Sequence, residues 1–179
     1  MHREGREPCV DLVDPLIVGF ITVERTREIE AMSPGLANAI ADWIREAAAV
    51  QDWRRVERLA NLAAPLQAPG LGDALRDLLD ADIAELNNED MVDLLGEIRA
   101  TGAASSIFRL VTRSITADAP AYWLCQKSIL SLSEFGTEEA NEYLRVLTTS
   151  TWPAPIRWHS AVALGIEDSL GFEEGQMLG

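Results

Sequence analysis

An internal repeat in the second half of the chain constrains its fold more than any other feature. Residues 124–136 align with residues 156–165 at an offset of 32, through an aliphatic residue, a serine and a leucine. A further offset of 34 places Gly102 on Gly136. Periods of roughly 30–45 residues are typical of arrays whose unit is one pair of helices. Because one pair buries too little apolar surface alone, successive pairs are expected to stack and share a continuous core.

The spacing of apolar residues indicates that the repeating units are helices. Apolar side chains recur at intervals of three and four residues, and proline, asparagine or glycine marks many segment ends. The first helix of each pair is predicted over residues 35–48, 71–84, 103–116 and 137–149. The partner helices are predicted over residues 51–64, 88–101, 120–135 and 154–167. The sequence therefore predicts an all-α fold, an α-solenoid of about four antiparallel helix pairs with an extra N-terminal helix.

The first thirty residues carry a weaker pattern than the rest of the chain. Asp14 followed by Pro15 is a helix-start signal, and the apolar residues after it favour a helix that continues through Ile21. The run 16–23 is also short and rich in β-branched residues, so a strand is the alternative there. We expect an N-terminal segment and capping helix over residues 1–33, the stacked helices over residues 34–168 and a tail over residues 169–179.

The last repeat carries a recognisable motif. Residues 156–165 read IRWHSAVALG, an aliphatic-Arg pair, small residues and a closing Ala-Leu-Gly, and residues 124–136 repeat the pattern with Cys125 in place of the arginine. This motif resembles the second helix of the phycobilisome-lyase-type HEAT-like repeat, within the HEAT-repeat superfamily. The resemblance covers roughly residues 35–167. It implies paired helices stacked into a curved solenoid, a scaffold for protein contacts whose partner helices line the concave face.

The charge balance excludes some partners and favours others. The chain has 15 Lys and Arg residues against 29 Asp and Glu residues, a formal net charge of -14. A nucleic-acid backbone is itself densely negative, so we expect no nucleic-acid binding and instead a protein partner with a basic surface. No apolar run approaches the ~20 residues of a membrane-spanning helix, and the N-terminus lacks a convincing secretory signal. The sequence therefore predicts a cytoplasmic protein without a membrane partner.

Motifs for catalysis or cofactor binding are absent. Neither Cys9 nor Cys125 belongs to a CxxC motif, and the phosphate-binding glycine loops and the GxSxG nucleophile motif are missing. A catalytic pair of Cys125 and His159 is conceivable because both lie on neighbouring partner helices. Their repeat positions differ by two, however, so a buried Cys125 and an exposed His159 are expected instead. The sequence thus predicts no enzyme, no cofactor and no metal.

Acidic residues are dense between Asp73 and Glu97. Nine carboxylates occur in this stretch, with only Arg76 and Arg99 nearby. A solvated acidic surface is the main interpretation, and a patch that faces a partner is the second. A metal site is a third, but the spacing and the glycine of an EF-hand loop are missing.

The repeat register selects the candidate binding residues. Equivalent positions of stacked helices line up across one surface. Asp93, Lys127 and His159 fall in one column of this register, and Val92, Gln126 and Trp158 fall in the next. Trp43 and Trp123 lie on apolar stripes and are expected in the core. Trp158 lies off the buried column, so it is either an exposed interface anchor or a residue covered by the C-terminal tail. The predicted partner-binding residues are Asp93, Glu97, Gln126, Lys127, Trp158 and His159.

These features favour a non-enzymatic α-solenoid that binds another protein. A bacterial immunity protein or antitoxin ranks first, because a small acidic module suits the neutralisation of a basic toxin. An adaptor subunit of a larger complex is the alternative. The resemblance to phycobilisome lyases raises bilin attachment as a less favoured enzymatic reading. HEAT-like DNA glycosylases need a basic groove, which a net charge of -14 argues against.

Overall fold

The computed structural model describes residues 8–19 and 21–172. Within these ranges the chain forms ten α-helices, three short 3-10 helices and no strand, so the predicted all-α class is confirmed. In chain order the α-helices are α1 (Val10–Val13), α2 (Val23–Met32), α3 (Leu36–Ala49), α4 (Trp53–Ala63), α5 (Leu71–Asp80), α6 (Asn88–Glu97), α7 (Ala104–Ser114), α8 (Trp123–Phe135), α9 (Glu138–Leu147) and α10 (Ala154–Leu164). The 3-10 helices are Asp14–Leu16, Thr101–Ala103 and Glu167–Leu170.

The eight helices predicted after residue 34 correspond to α3–α10. Their starts agree with the sequence analysis within three residues and their ends within four. The largest difference at a start is in α8, which begins at Trp123 rather than at residue 120. The Asp118 carboxylate accepts hydrogen bonds from the backbone N–H groups of Leu124 (3.3 Å) and Cys125 (2.8 Å). It therefore caps the first turn of α8 from the preceding loop.

The described part of the chain divides into two compact units. The first comprises Met1–Leu78 with Ile83–Asn87, and the second comprises Leu79–Asp82 with Asn88–Gly179. No helix in the described ranges combines the length and the hydropathy that a bilayer crossing requires. The boundaries predicted at residues 34 and 168 stay a prediction.

The first unit is centred on the pair α3 and α4. These helices pack together across a three-residue connection, and Asp52 caps α4 by accepting a hydrogen bond from the backbone N–H of Arg55 at 3.1 Å. Each helix buries its apolar stripe completely, through Leu36, Ile40 and Ile44 on α3 and Val56, Leu59 and Leu62 on α4. Full burial of such side chains stabilises a fold by about 1.5–3 kcal/mol each.

The predicted helix from Pro15 through Ile21 is wrong. Pro15 lies within a short 3-10 helix, Asp14–Leu16, and the described residues of the run 16–23 form no strand either. The Arg58 guanidinium donates to the carbonyl oxygens of Asp14 and Ile17, which a continuing helix would have used for its own hydrogen bonds. Gly19 then adopts a left-handed φ of 63°, a conformation that ends regular structure. The N-terminal helix forms later, as α2.

The second unit arranges its helices around α8. This helix packs against α6, α7, α9 and α10, and α9 also packs against α7 and α10. Phe108 of α7 and Tyr143 of α9 stack with their ring centroids 4.6 Å apart. The fully buried side chains of α6 and α8 include Met91, Leu95 and Leu132. Three of the four helices assigned as partners, α6, α8 and α10, are thus neighbours through α8.

Candidate protein-binding surface

Helix α6 separates its acidic residues from its apolar ones. Asp93 and Glu97 are exposed and lie one turn apart, so they share one side of the helix. Met91 and Leu95 are fully buried on the other side. Val92, expected at the surface in the column of Gln126 and Trp158, is also fully buried, so that expectation is wrong. The close packing of α6 against α8 accounts for this burial, since the Val92 carbonyl accepts a hydrogen bond from Ser131 Oγ at 2.6 Å.

Lys127 joins α8 to the acidic side of α6. Its Nζ lies 2.7 Å from Asp93 Oδ2 and 3.5 Å from Glu89 Oε2. The hydrogen bond that Lys127 donates to Asp93 raises the pKa of Lys127, against the opposing effect of partial burial. The structure thus brings together Asp93 and Lys127, which the repeat register placed in one column.

Trp158 and His159 form a second group on α10. Their rings meet edge to face, with centroids 4.9 Å apart. Both residues are half-buried, so His159 is less exposed than the sequence suggested, and Trp158 is not the fully exposed anchor that the sequence analysis considered. Burial lowers the pKa of His159, because it disfavours the protonated imidazole. Gln126 of α8 is half-buried too, and its Nε2 donates to the Ala121 carbonyl oxygen at 2.9 Å.

Helix α8 has an exposed apolar side that the sequence analysis missed. Trp123 is 64% exposed and Leu130 is 63% exposed, although Trp123 was expected in the core. The inward side of the helix consists of Cys125, Ser128, Ile129 and Leu132, all buried. Trp123, Lys127, Leu130 and Glu134 recur at intervals of four, three and four residues on the remaining side. The charged members of that series were the available signal that it faces outward.

Much of the acidic stretch from residue 73 to residue 97 is paired with arginines. Asp73 and Asp77 each contact Arg76. Both contacts are local, since Arg76 lies three residues after Asp73 and directly before Asp77. Within the second unit, Asp80 pairs with Arg109 at 2.7 Å and Asp82 pairs with Arg113 at 2.9 Å. These arginines belong to α7, far along the chain from the carboxylates, so counting nearby cations could not find them. Four of the nine carboxylates are thus held by arginines, and Glu89 and Asp93 of α6 face Lys127.

The buried thiol of Cys125 is unsuited to nucleophilic chemistry. Its side chain is fully buried, and its sulfur lies 3.8 Å from Ser114 Oγ. Burial, together with the hydrogen bond and charge of Asp118, raises the pKa of Cys125 to about 12. The thiolate is the reactive form, so this group stays protonated and inert near neutral pH. Within the described residues no group of three His, Cys, Asp or Glu side chains is arranged to hold a metal ion.

Comparisons with known proteins identify no relative: no family model, no curated protein and no solved structure matches this chain.

Proposed function

We propose that this chain is a non-enzymatic HEAT-like solenoid of about four helix pairs that binds another protein with a basic surface. The binding surface is the side of the partner helices α6, α8 and α10 that carries Asp93, Glu97, Gln126, Lys127, Trp158 and His159.

The observation that carries the proposal is the contact between Lys127 and Asp93. A repeat of stacked helices brings equivalent residues of successive partner helices side by side. These two residues are 34 positions apart in the sequence, which is the repeat offset, and their charged atoms are 2.7 Å apart. The packing of α8 against both α6 and α10 supports the same arrangement for the next repeat. His159 follows Lys127 in that register by the offset of 32 residues.

The charge on these helices suits a basic partner. Helices α6, α8 and α10 carry the five carboxylates Glu89, Asp90, Asp93, Glu97 and Glu134 against two cations, Lys127 and Arg157. The guanidinium of Arg157 is directed to the Thr148 carbonyl oxygen and to the Phe172 ring. An excess of carboxylates on a surface attracts a cationic protein from solution and raises the association rate.

Among proteins of this kind, an immunity protein or antitoxin fits best. Neutralising a toxin requires fast association, and opposite net charges provide it. An adaptor subunit is the alternative, and it would use the same surface. The two differ in the partner: a basic toxin that is active alone supports the first, and a subunit of a stable assembly supports the second.

The test is capture of a partner from the native host at low salt, followed by binding measurements with the purified partner. We expect Asp93→Asn with Glu97→Gln to lower the association rate and flatten its salt dependence. The matched control is Asp42→Asn with Glu46→Gln, which removes the same charge at the same spacing from exposed positions of α3. Equal effects of the two pairs would show that net charge alone matters and would contradict the assigned surface.

Truncation of Trp158 tests the aromatic anchor. An interface tryptophan commonly contributes about 2 kcal/mol or more, so Trp158→Ala should weaken binding about 30-fold. Thermal denaturation of the variant checks that it is folded. A folded Trp158→Ala protein with wild-type affinity would show that Trp158 is not part of the binding surface.

A further inference from the structure

The outward side of α8 presents two large apolar side chains to solvent. Trp123 and Leu130 are each more than 60% exposed. They are separated by seven residues, which is two helical turns and about 10.5 Å along the axis. Single exposed apolar residues are common on proteins, but a contiguous apolar patch usually marks a contact site.

The apolar side chains continue on α10. Val162 is 44% exposed and stands one repeat offset after Leu130, at the equivalent position of the next partner helix. Since these two helices pack together, the register places Val162 beside Leu130. Trp123, Leu130 and Val162 are called the apolar strip below.

A charged edge borders the apolar strip on the side of α6. Lys127 lies between Trp123 and Leu130 in the helix, yet its ammonium group is directed to Asp93 and Glu89. The positive charge is thereby directed away from the strip, and the aliphatic part of the Lys127 side chain remains between Trp123 and Leu130. Asp93 and Glu97 then supply exposed carboxylates along this edge.

We infer that the apolar strip receives an amphipathic α-helix of the partner, whose Lys or Arg residues lie on the flank that faces α6. This inference rests on the proposed function and names the part of the basic partner that binds. Charge complementarity selects cations for the flank, and the strip selects apolar anchors for the bound side. Helix-in-groove recognition uses anchors at positions i, i+3 or i+4, and i+7.

The spacing favours a helix over an extended peptide. In a helix, anchors i and i+7 are about 10.5 Å apart, the same rise that separates Trp123 from Leu130. Side chains on one side of a strand repeat every ~6.8 Å, so neither one nor two such steps match this separation. Addition of a strand to a sheet edge is also unavailable, because the described residues contain no strand.

A synthetic peptide of about 18 residues, about 27 Å long as a helix, tests the inference. Its leucines occupy positions i, i+3, i+4 and i+7, and its lysines lie along one flank. A second peptide has the same composition in an order without an apolar side. Calorimetry should show at least ~10-fold tighter binding of the amphipathic peptide to the wild-type protein. Equal binding of the two peptides would overturn the inference, since charge alone would explain it.

Substitutions locate the contact. Trp123→Ser with Leu130→Ser should abolish the preference for the amphipathic peptide. Both side chains are exposed, so the fold should persist, which circular dichroism checks. The matched control is Val50→Ser with Val146→Ser, at exposed valines of α3's C-cap and of α9, and it should bind like the wild type. If the control variant loses the preference as fully as the strip variant does, the inference is wrong.

The natural partner separates this inference from the proposed function. If the partner binds through Asp93 and Glu97 but is unaffected by the strip variant, the helix inference fails and the proposed function stands. If no basic partner is captured while the strip still selects the amphipathic peptide, the proposed function fails and the strip remains a helix-binding site.

Discussion

Gly96 of α6 lies so close to Ser131 of α8 that a methyl group on residue 96 would meet the Ser131 Oγ at 2.8 Å and its Cα at 3.1 Å. Ser131 Oγ donates a hydrogen bond of 2.6 Å to the carbonyl oxygen of Val92, one turn before Gly96. Both Gly96 and Ser131 are buried. The backbones of the two helices therefore approach each other closely here, and the absence of a side chain at residue 96 permits this close approach.

Gly96→Ala should destabilise the protein. Alanine favours a helix interior over glycine by about 1 kcal/mol. The added methyl group, however, would press on the Ser131 backbone, which cannot turn away as a flexible side chain does. We expect a net loss of about 1–3 kcal/mol in the free energy of unfolding, measured by urea denaturation. Ser131→Ala, which removes one hydrogen bond, should cost only about 1 kcal/mol. A Gly96→Ala protein as stable as the wild type would contradict the close approach.

The helices could be predicted from the sequence because their signals are local. The apolar periodicity lies within each helix, and end signals such as Asp52, Gly136 and Thr137 lie beside it. These local signals locate α3–α10 to within four residues at each end. The approach of Gly96 to Ser131 could not be predicted, because it depends on the distance between two helices. A glycine inside a helix lowers helix stability, but it does not by itself indicate close contact with another helix.

The surface was harder to predict than the helices. The register anticipated the neighbours Asp93 and Lys127, since both follow from one repeat offset. Trp123 was misassigned because an aromatic residue at helical spacing fits either side of a helix until the inward side is known. The pairing of Asp80 with Arg109 was missed because it joins residues 29 positions apart.

His159 should make stability depend on pH in the acidic range. Burial lowers the pKa of His159 below its usual 6.5. The unfolded chain therefore takes up a proton at a higher pH than the folded protein does. The stability of the fold with a neutral, half-buried His159 is fully present above pH 6.5. It is lost as the pH falls through the pKa of His159 in the folded protein.

Urea denaturation at about pH 7.5 and about pH 5.5 measures this loss. His159→Gln cannot titrate, so its stability should fall less between the two conditions than that of the wild type. His2 remains in both proteins and serves as an internal control. The same decrease in both proteins would contradict the burial of the imidazole.

The two cysteines should differ in reactivity. Cys9 is exposed, whereas Cys125 is buried with its pKa raised to about 12. Because alkylation requires an accessible thiolate, iodoacetamide at about pH 8 should label one thiol per folded chain. Labelling in denaturant should reach both, and mass spectrometry of the peptides identifies the modified residue. Rapid modification of Cys125 in the folded protein would contradict the burial of this side of α8.

Hydroxyl-radical footprinting of the protein with and without its purified partner tests the central claim most directly. Trp123 and Leu130 are exposed in the chain alone, so radicals should oxidise both at high rates. Met32 and Val146 are exposed apolar residues outside α6, α8 and α10 and serve as references. We predict that the partner protects Trp123 and Leu130 and leaves the oxidation of Met32 and Val146 unchanged. Protection of Met32 or Val146, with Trp123 and Leu130 oxidised as before, would contradict a binding surface on α6, α8 and α10.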